Sequence, residues 1–210
     1  MNPQGLKCGH INIYHLKNKI PDLTVFLDTK EPYHLFGVSE SWLKDDVPDQ
    51  SIQIPNYIAF RRDQNGISGK TGLVVYIHHS LQSIARRRTD LECDEVECIW
   101  IEFSFPNRPS LFVGTIYRHP NSTEDWYDNF HDLYDKVSKR NSSVLLLGDF
   151  NIDMLKPHTS WDTAITTLGL NQHVSSLTRP ASGTLIDHIY SNKPGAVKQV
   201  EVNSLATSDH

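Results

Sequence analysis

The chain has 210 residues, 38% hydrophobic and 21% charged, an ordinary globular composition with enough length for one substantial core. No apolar stretch approaches the ~20 residues that a bilayer-crossing helix needs, and Met1 to Gly5 lacks the basic and apolar regions of a secretion signal. One soluble, intracellular domain over residues 1–210, with no membrane partner, is therefore expected. Cys8, Cys93 and Cys98 show no C-x-x-C spacing and the eleven histidines no H-E-x-x-H, which speaks against a disulfide framework and against zinc. A net charge of −5 runs against nucleic-acid binding, unless several carboxylates sit in one metal-neutralised cleft.

Along the chain, Ile11 to Ile13 reads as a strand whose Asn12 points away from its apolar neighbours and needs a partner. Leu16, Ile20, Leu23 and Leu27 have helical spacing, and Pro21 predicts a late start or a kink. Leu35 to Val38 is a buried strand closed by Ser39 and Glu40; a carboxylate there suits a hard divalent cation, or caps the following turn. Strands follow at Tyr57 to Phe60 and Leu73 to Ile77. Arg61-Arg62 and Arg86-Arg87-Arg88 are either contacts for a phosphate backbone or solvated turn charges. Ile99 to Phe103 and Leu111 to Tyr117 are strands too, the second ending in Tyr117-Arg118, a phenol and a guanidinium where a phosphate could dock.

Helical spacing returns over Glu124 to Lys139 through Trp126, Phe130, Leu133 and Val137, with Thr123 at its start. Val144 to Leu147 has the pattern of a central strand, and Gly148-Asp149-Phe150-Asn151 closes it. Residues two apart share a face of an extended chain, so Asp149 and Asn151 are expected to project together while Phe150 turns into the core. A carboxylate can position or deprotonate an attacking water, and an amide can donate to a phosphate oxygen. Trp161, Ile165 and Leu168 mark a third helix, stopped by Gly169. In Ile186 to Tyr190 alternation separates Asp187 from His188. Asp187 is expected to orient a distant histidine, with His210 of Ser208-Asp209-His210 as the candidate; His188, His78 and His79 read as surface or sheet-edge residues. A last strand is expected at Val197 to Val202. Many strands with few helices predict a two-sheet α/β sandwich with helices outside and polar loops gathered at one end.

Asn12, Ser39-Glu40-Ser41-Trp42-Leu43, Tyr117-Arg118, Gly148-Asp149-Phe150-Asn151, Ile186-Asp187-His188-Ile189 and Ser208-Asp209-His210, in this order, resemble the endonuclease/exonuclease/phosphatase superfamily over nearly the whole chain. Leu177-Thr178-Arg179 ahead of Leu185 to His188, and Arg61-Arg62-Asp63 ahead of Gly69 to Ile77, look most like the apurinic-type endonuclease domain of non-LTR, LINE-like and jockey-like retrotransposons. The resemblance implies a DNase I-like four-layer α/β (α+β) sandwich of two mostly antiparallel sheets flanked by helices. It implies a magnesium-dependent nick in double-stranded DNA, with manganese as a substitute, leaving a 3′-hydroxyl that primes reverse transcription in the nucleus.

Residue by residue, the resemblance implies that Glu40 holds the metal with Asn12 and Asp209, that Asp149 aligns and activates water, and that Asn151 and Tyr117 bind the scissile phosphate. His210, oriented by Asp187, would stabilise charge at phosphorus, the identity of the general base being open. Arg118, Thr178, Arg179 and Ser208 would contact substrate. Repair-type relatives carry an acidic residue two positions after the first-strand Asn; Tyr14 stands there in this chain, which favours the retrotransposon type. A closing strand after Ser208-Asp209-His210 and, in a full element, a reverse transcriptase domain are further expectations. Two alternatives stand beside this reading: a phosphatase or phosphodiesterase acting on an inositol phosphate, lipid headgroup or nucleotide, and a fragment that binds nucleic acid or protein without cleaving. Thr178-Arg179 and the basic clusters favour a polynucleotide.

Overall fold

Alternating side chains along the strands create two apolar faces on each sheet, and a helix or the other sheet covers each face. The computed structural model describes residues 5–64, 70–140, 142–203, 205 and 208–210; Met1 to Gln4 and Gly69 lie outside them. The first sheet contains β1 (Cys8–Asn12), β2 (Leu35–Ser39), β3 (Tyr57–Arg62) and β4 (Leu73–His78) in the order β1-β2-β4-β3. The second contains β5 (Ala85–Arg87), β6 (Glu97–Phe103), β7 (Leu111–Tyr117), β8 (Ser143–Asp149), β9 (Asn171–Gln172) and β10 (Asp187–Ser191), ordered β5-β6-β7-β8-β10-β9. Neighbours are antiparallel except β1 with β2 and β7 with β8.

Between the sheets lie Leu35, Leu73, Val75 and Ile77 from one side and Ile99, Ile101, Phe103, Val113 and Leu147 from the other. The outer face of the first sheet packs Phe36, Val38, Val74 and Tyr76 against Leu23 and Leu27 of α1 (Ile20–Leu27). The outer face of the second sheet packs Trp100, Phe112, Val144 and Leu146 against α2 (Asp125–Ser138) and α3 (Thr159–Thr167). The result is the expected four-layer α/β sandwich. Pro21 sits at the N-terminal end of α1, where its missing N–H is not needed, and Gly169, at φ +63°, ends the third helix.

One strand expectation needs correction, and two strands were not anticipated. Val197 to Val202 forms no strand, because strand propensity finds no ladder there; Val202 is exposed. Ala85–Arg87 and Asn171–Gln172 do form edge strands, too short to carry a periodic signal. The sheets approach closely enough at Gly37 that a Cβ would lie 2.8 Å from the Thr115 side chain.

The tightest backbone position is Gly148, where a Cβ would stand 1.8 Å from the Ile116 carbonyl oxygen on the neighbouring strand. Gly148→Ala is therefore expected to destabilise the fold by about 3 kcal/mol, since neither strand can move without breaking the ladder. Denaturant unfolding checks this, and an unchanged midpoint would show that the backbone absorbs the extra carbon.

Candidate active site

Tyr117 lies opposite Asp149, and Asp149 opposite Asp187, so adjacent strands β7, β8 and β10 present one rung of functional side chains toward the first sheet. From the first sheet, His10 and Asn12, two apart on β1, face the same space, and Glu40 follows β2 with a left-handed φ of +51°. The Asn12 amide bridges the halves: Nδ2 donates to Glu40 Oε1 at 2.8 Å and to Asp149 Oδ2 at 2.9 Å. The Tyr117 hydroxyl also donates to Glu40 Oε1, at 3.0 Å. Asp149 and Asn151 do share the cleft, by a route other than the expected strand continuation. The strand ends at Asp149, whose Oδ1 accepts the Asn151 N–H at 2.9 Å, and Asn151 turns at φ +50°. Its amide donates to the Arg118 carbonyl at 2.8 Å. Phe150 is fully buried, stacked on His188.

Asp187 Oδ2 lies 2.7 Å from His210 Nδ1, the expected pairing. The Ser208 hydroxyl donates to the Asn12 carbonyl at 2.7 Å and accepts the His210 N–H at 3.1 Å, so Ser208 positions the imidazole rather than facing substrate. Asp209 lies on the cleft, its carboxylate 2.8 Å from Arg179 Nε. The cleft measures about 210 Å³ and is lined by Asn12, Glu40, Tyr117, Asp149, Asn151 and His210, with Arg179, Asp209, Tyr14, Lys70 and His119 at its margin.

Several expected substrate contacts point elsewhere. Arg118 follows Tyr117 and so faces the opposite side, its guanidinium 5.4 Å from the Trp126 ring centre and 5.3 Å from that of Tyr127. The Thr178 hydroxyl accepts the Ile186 and Asp187 N–H groups, both at 3.1 Å, and fixes the entry to β10. Of the basic clusters, Arg61 is held by Asp63 and Asp49, Arg87 by Glu92, and Arg88 by Asp90 and Glu102, while Arg62 donates to the Cys93, Val96 and Cys98 carbonyls. These arginines tie loops together. His188 is a core residue, between the Tyr190 hydroxyl and the Ile152 carbonyl, and burial lowers its pKa to about 4.

Two residues were missed. The His10 side chain is 4% exposed, with Nε2 3.1 Å from Ser39 Oγ and Nδ1 3.4 Å from Asp187 Oδ1, so Asp187 is flanked by two imidazoles. The two-residue spacing from Asn12 was the available signal. Glu97, on β6, accepts the Gly72 N–H at 2.6 Å, and burial pushes its carboxyl up to about 7 against the pull of that N–H and of Arg62.

The electrostatics divide the two central aspartates. Burial and then the Asp187 charge push Asp149 well above the ordinary carboxylate range, outweighing His210, the Asn12 amide and the Asn151 N–H. Burial acts on Asp187 in the same direction, but His10 and His210 outweigh it and hold Asp187 well below that range. His210 is raised, because Asp187, supported by Asp149 and Asp209, outweighs the burial that disfavours its charge. Burial first, then Glu40 and Asp149, push the Tyr117 phenol far up, so it stays a neutral donor.

The sequence profile described as the Endonuclease/Exonuclease/phosphatase family matches residues 10–210, spanning every one of these groups. The chain belongs to this family. No curated protein matches the sequence. Solved structures of the same fold include the AP endonuclease LMAP from Leishmania major, at 14% identity and TM-score 0.71, covering 90% of this chain and 79% of that one. The endonuclease domain of TRAS1, a telomere-specific non-LTR retrotransposon, is similar at 13% identity and TM-score 0.63, covering 86% and 82%. The 3′ phosphatase NExo from Neisseria, bound to product DNA hairpin, is similar at 17% identity and TM-score 0.64, covering 91% and 88%. Members of the endonuclease/exonuclease/phosphatase family are metal-dependent nucleases, phosphodiesterases and phosphatases.

The residues fit a divalent cation. Glu40 and Asp149 share the Asn12 amide as a donor, so oxygen-rich negative charge converges in a small cleft. One ligand atom each from Asp149, Asp187 and His210 also lies within 4.8 Å of the others. Asp187 and His210 are already engaged with each other, which leaves Glu40 as the carboxylate to hold a metal, with Asp149 facing it across the Asn12 amide. Two ligands implied by the resemblance are placed differently: Asn12 presents its nitrogen to both carboxylates while its Oδ1 accepts the Tyr14 N–H, and Asp209 is paired with Arg179.

Proposed function

We propose that this protein is a metal-dependent DNA endonuclease that hydrolyses one phosphodiester bond of double-stranded DNA and leaves a 3′-hydroxyl and a 5′-phosphate. The observation that carries the reading is the Glu40–Asn12–Asp149 chain beside the Asp187–His210 pair in one cleft. That cleft opens to the surface and is lined by Glu40, Tyr117, Asp149, Asn151 and His210, groups that suit a phosphodiester laid across it. The AP endonuclease and DNA-hairpin relatives support DNA as the polymer, and the retrotransposon endonuclease supports a target-nicking role in the nucleus. Magnesium, or manganese in its place, held by Glu40 would neutralise phosphate charge and stabilise the departing oxygen.

Water attacks phosphorus as the bond to the 3′-oxygen breaks, and the departing 3′-oxygen takes up a proton from solvent to become the 3′-hydroxyl. Asp149, its proton affinity raised by burial, orients the water and takes a proton at a carboxylate oxygen. His210, kept protonated by Asp187, donates to a non-bridging phosphate oxygen as negative charge builds there. Asn151 offers the second N–H of its amide to the same phosphate, and Tyr117 offers its hydroxyl once this turns away from Glu40.

The test is conversion of supercoiled plasmid to open circle in magnesium or in EDTA. Nicking is expected in magnesium only. Glu40→Gln, which removes charge and keeps shape, is expected to slow it about a hundred-fold. Cleavage that is indifferent to EDTA and to this substitution would reject the metal assignment.

A further inference from the structure

Tyr14 lines the cleft, and the chemistry above does not use it. Tyr14, His15, Glu40 and Trp42 all have positive φ, at 48°, 80°, 51° and 53°, an unfavourable conformation for residues with a Cβ. The loops after β1 and β2 are held in it together, His15 N–H donating to the Glu40 carbonyl at 2.9 Å and Leu16 N–H to that of Ser41 at 3.0 Å. Backbone strain gathered beside a cleft points to a function for the group it displays. The group displayed is the Tyr14 ring, 48% exposed and packed on Trp42 at 4.3 Å between centroids. Lys70 Nζ lies 5.5 Å and Lys19 Nζ 5.9 Å from the same ring centre.

We propose that Tyr14, backed by Trp42 and flanked by Lys70, is a stacking platform for the nucleobase next to the scissile phosphate, and that it makes an unpaired target nucleotide the better substrate. The proposal rests on the endonuclease reading. With only the phosphate inside the cleft, the neighbouring base lies at its rim, where Tyr14 stands. Aromatic stacking accepts any base, and the lysine charge serves the adjoining phosphate. A paired base must first leave its stack, whereas an unpaired one is already free.

The whole chain is tested on a labelled DNA duplex with one unpaired nucleotide and on its fully paired counterpart, with binding followed by anisotropy in EDTA and nicking followed in magnesium. Wild type is expected to prefer the unpaired site, and Tyr14→Phe to retain the preference. Tyr14→Ala, and Tyr14→Gly, which also relieves the left-handed strain, are expected to bind the unpaired duplex about ten-fold more weakly. In these variants the preference disappears and KM rises while kcat is kept. Lys70→Ala is expected to reduce the salt dependence of binding by about one phosphate contact, which the Tyr14 variants leave alone. Nicking by wild type with unchanged binding and preference in folded Tyr14→Gly overturns the platform alone. A wild-type chain that neither binds nor nicks DNA overturns the endonuclease reading and the platform with it.

Discussion

Asp149→Asn is expected to slow nicking about 10⁴-fold and, in metal-free protein, to raise the melting temperature. Both effects come from one cause. Asp149 is buried beside Asp187 and shares its amide donor with Glu40, so its negative charge is poorly compensated until a cation arrives. Asparagine keeps the shape and the hydrogen bond to Asn151 but removes the charge that orients water and the oxygen that accepts from Asn12 Nδ2; relief of the buried charge is expected to outweigh that lost bond. A carboxyl whose folded pKa lies above its unfolded value near 3.8 favours the fold below that pH and loses this contribution as pH rises through about 7. Asp149 should therefore pull the metal-free melting temperature down between about pH 4 and about pH 7, with Glu97 adding to the slope and His188, lowered to about 4, opposing it below about pH 6.5. Asp149→Asn should flatten that fall and gain about 2–4 °C at the alkaline end. Calorimetry across this range in EDTA, beside plasmid assays in magnesium, checks both halves. A variant that is inactive and also less stable would mean that Asp149 holds the structure together rather than acting at a cost to it.

Asp187→Asn is expected to lower kcat by about 10³-fold with little change in DNA affinity, because Asp187 is the group that selects the tautomer and charge of His210. An amide can present its N–H to Nδ1, which leaves a neutral ring with its proton on Nε2 and removes the positive charge that would meet the negative charge building on the phosphate. Asp187 differs from Asp149 in sign as well as in role. Its folded pKa is depressed, so its contribution to stability is present above the ordinary carboxylate range and is lost as pH falls below it. Asparagine should accordingly destabilise the fold, by about 1–3 kcal/mol, as His10 and His210 lose their partner. Single-turnover cleavage separated from equilibrium binding would decide the matter; an affinity loss at constant kcat would move Asp187 from the chemistry to the DNA contact.

Much of the fold was legible because both sheet periods and helix periods are strong in this chain. Val144 to Leu147 and Leu73 to Ile77 could hardly be anything but buried strands, and Trp126, Phe130, Leu133 and Val137 mark one helix face. Val197 to Val202 misled because propensity does not say whether a partner strand is present. In the site, Glu40, Asp149 and Asp187 were readable because strand mouths expose their closing residues. Arg118 and Thr178 were misread for a common reason. A donor near a strand end satisfies local backbone or aromatic partners as readily as a phosphate, and one step of alternation decides which. The arginine clusters failed likewise: their carboxylate partners, Asp63, Glu92 and Glu102, are close in space and unremarkable in sequence.

The shared rung of Tyr117, Asp149 and Asp187 turns the hydrogen-bond ladder into a ruler. Spacing between the reacting groups is fixed by interstrand distance and not by any loop, so it is as durable as the middle of the sheet. Fraying of β9 or opening of α3 leaves the ruler unmarked, whereas a one-residue slip of β10 would trade Asp187 for His188 and erase it in a single step. The loop after β1, which carries Tyr14 and lies outside the rung, is then the part of the molecule in which preference for a target can drift while the chemistry stays calibrated.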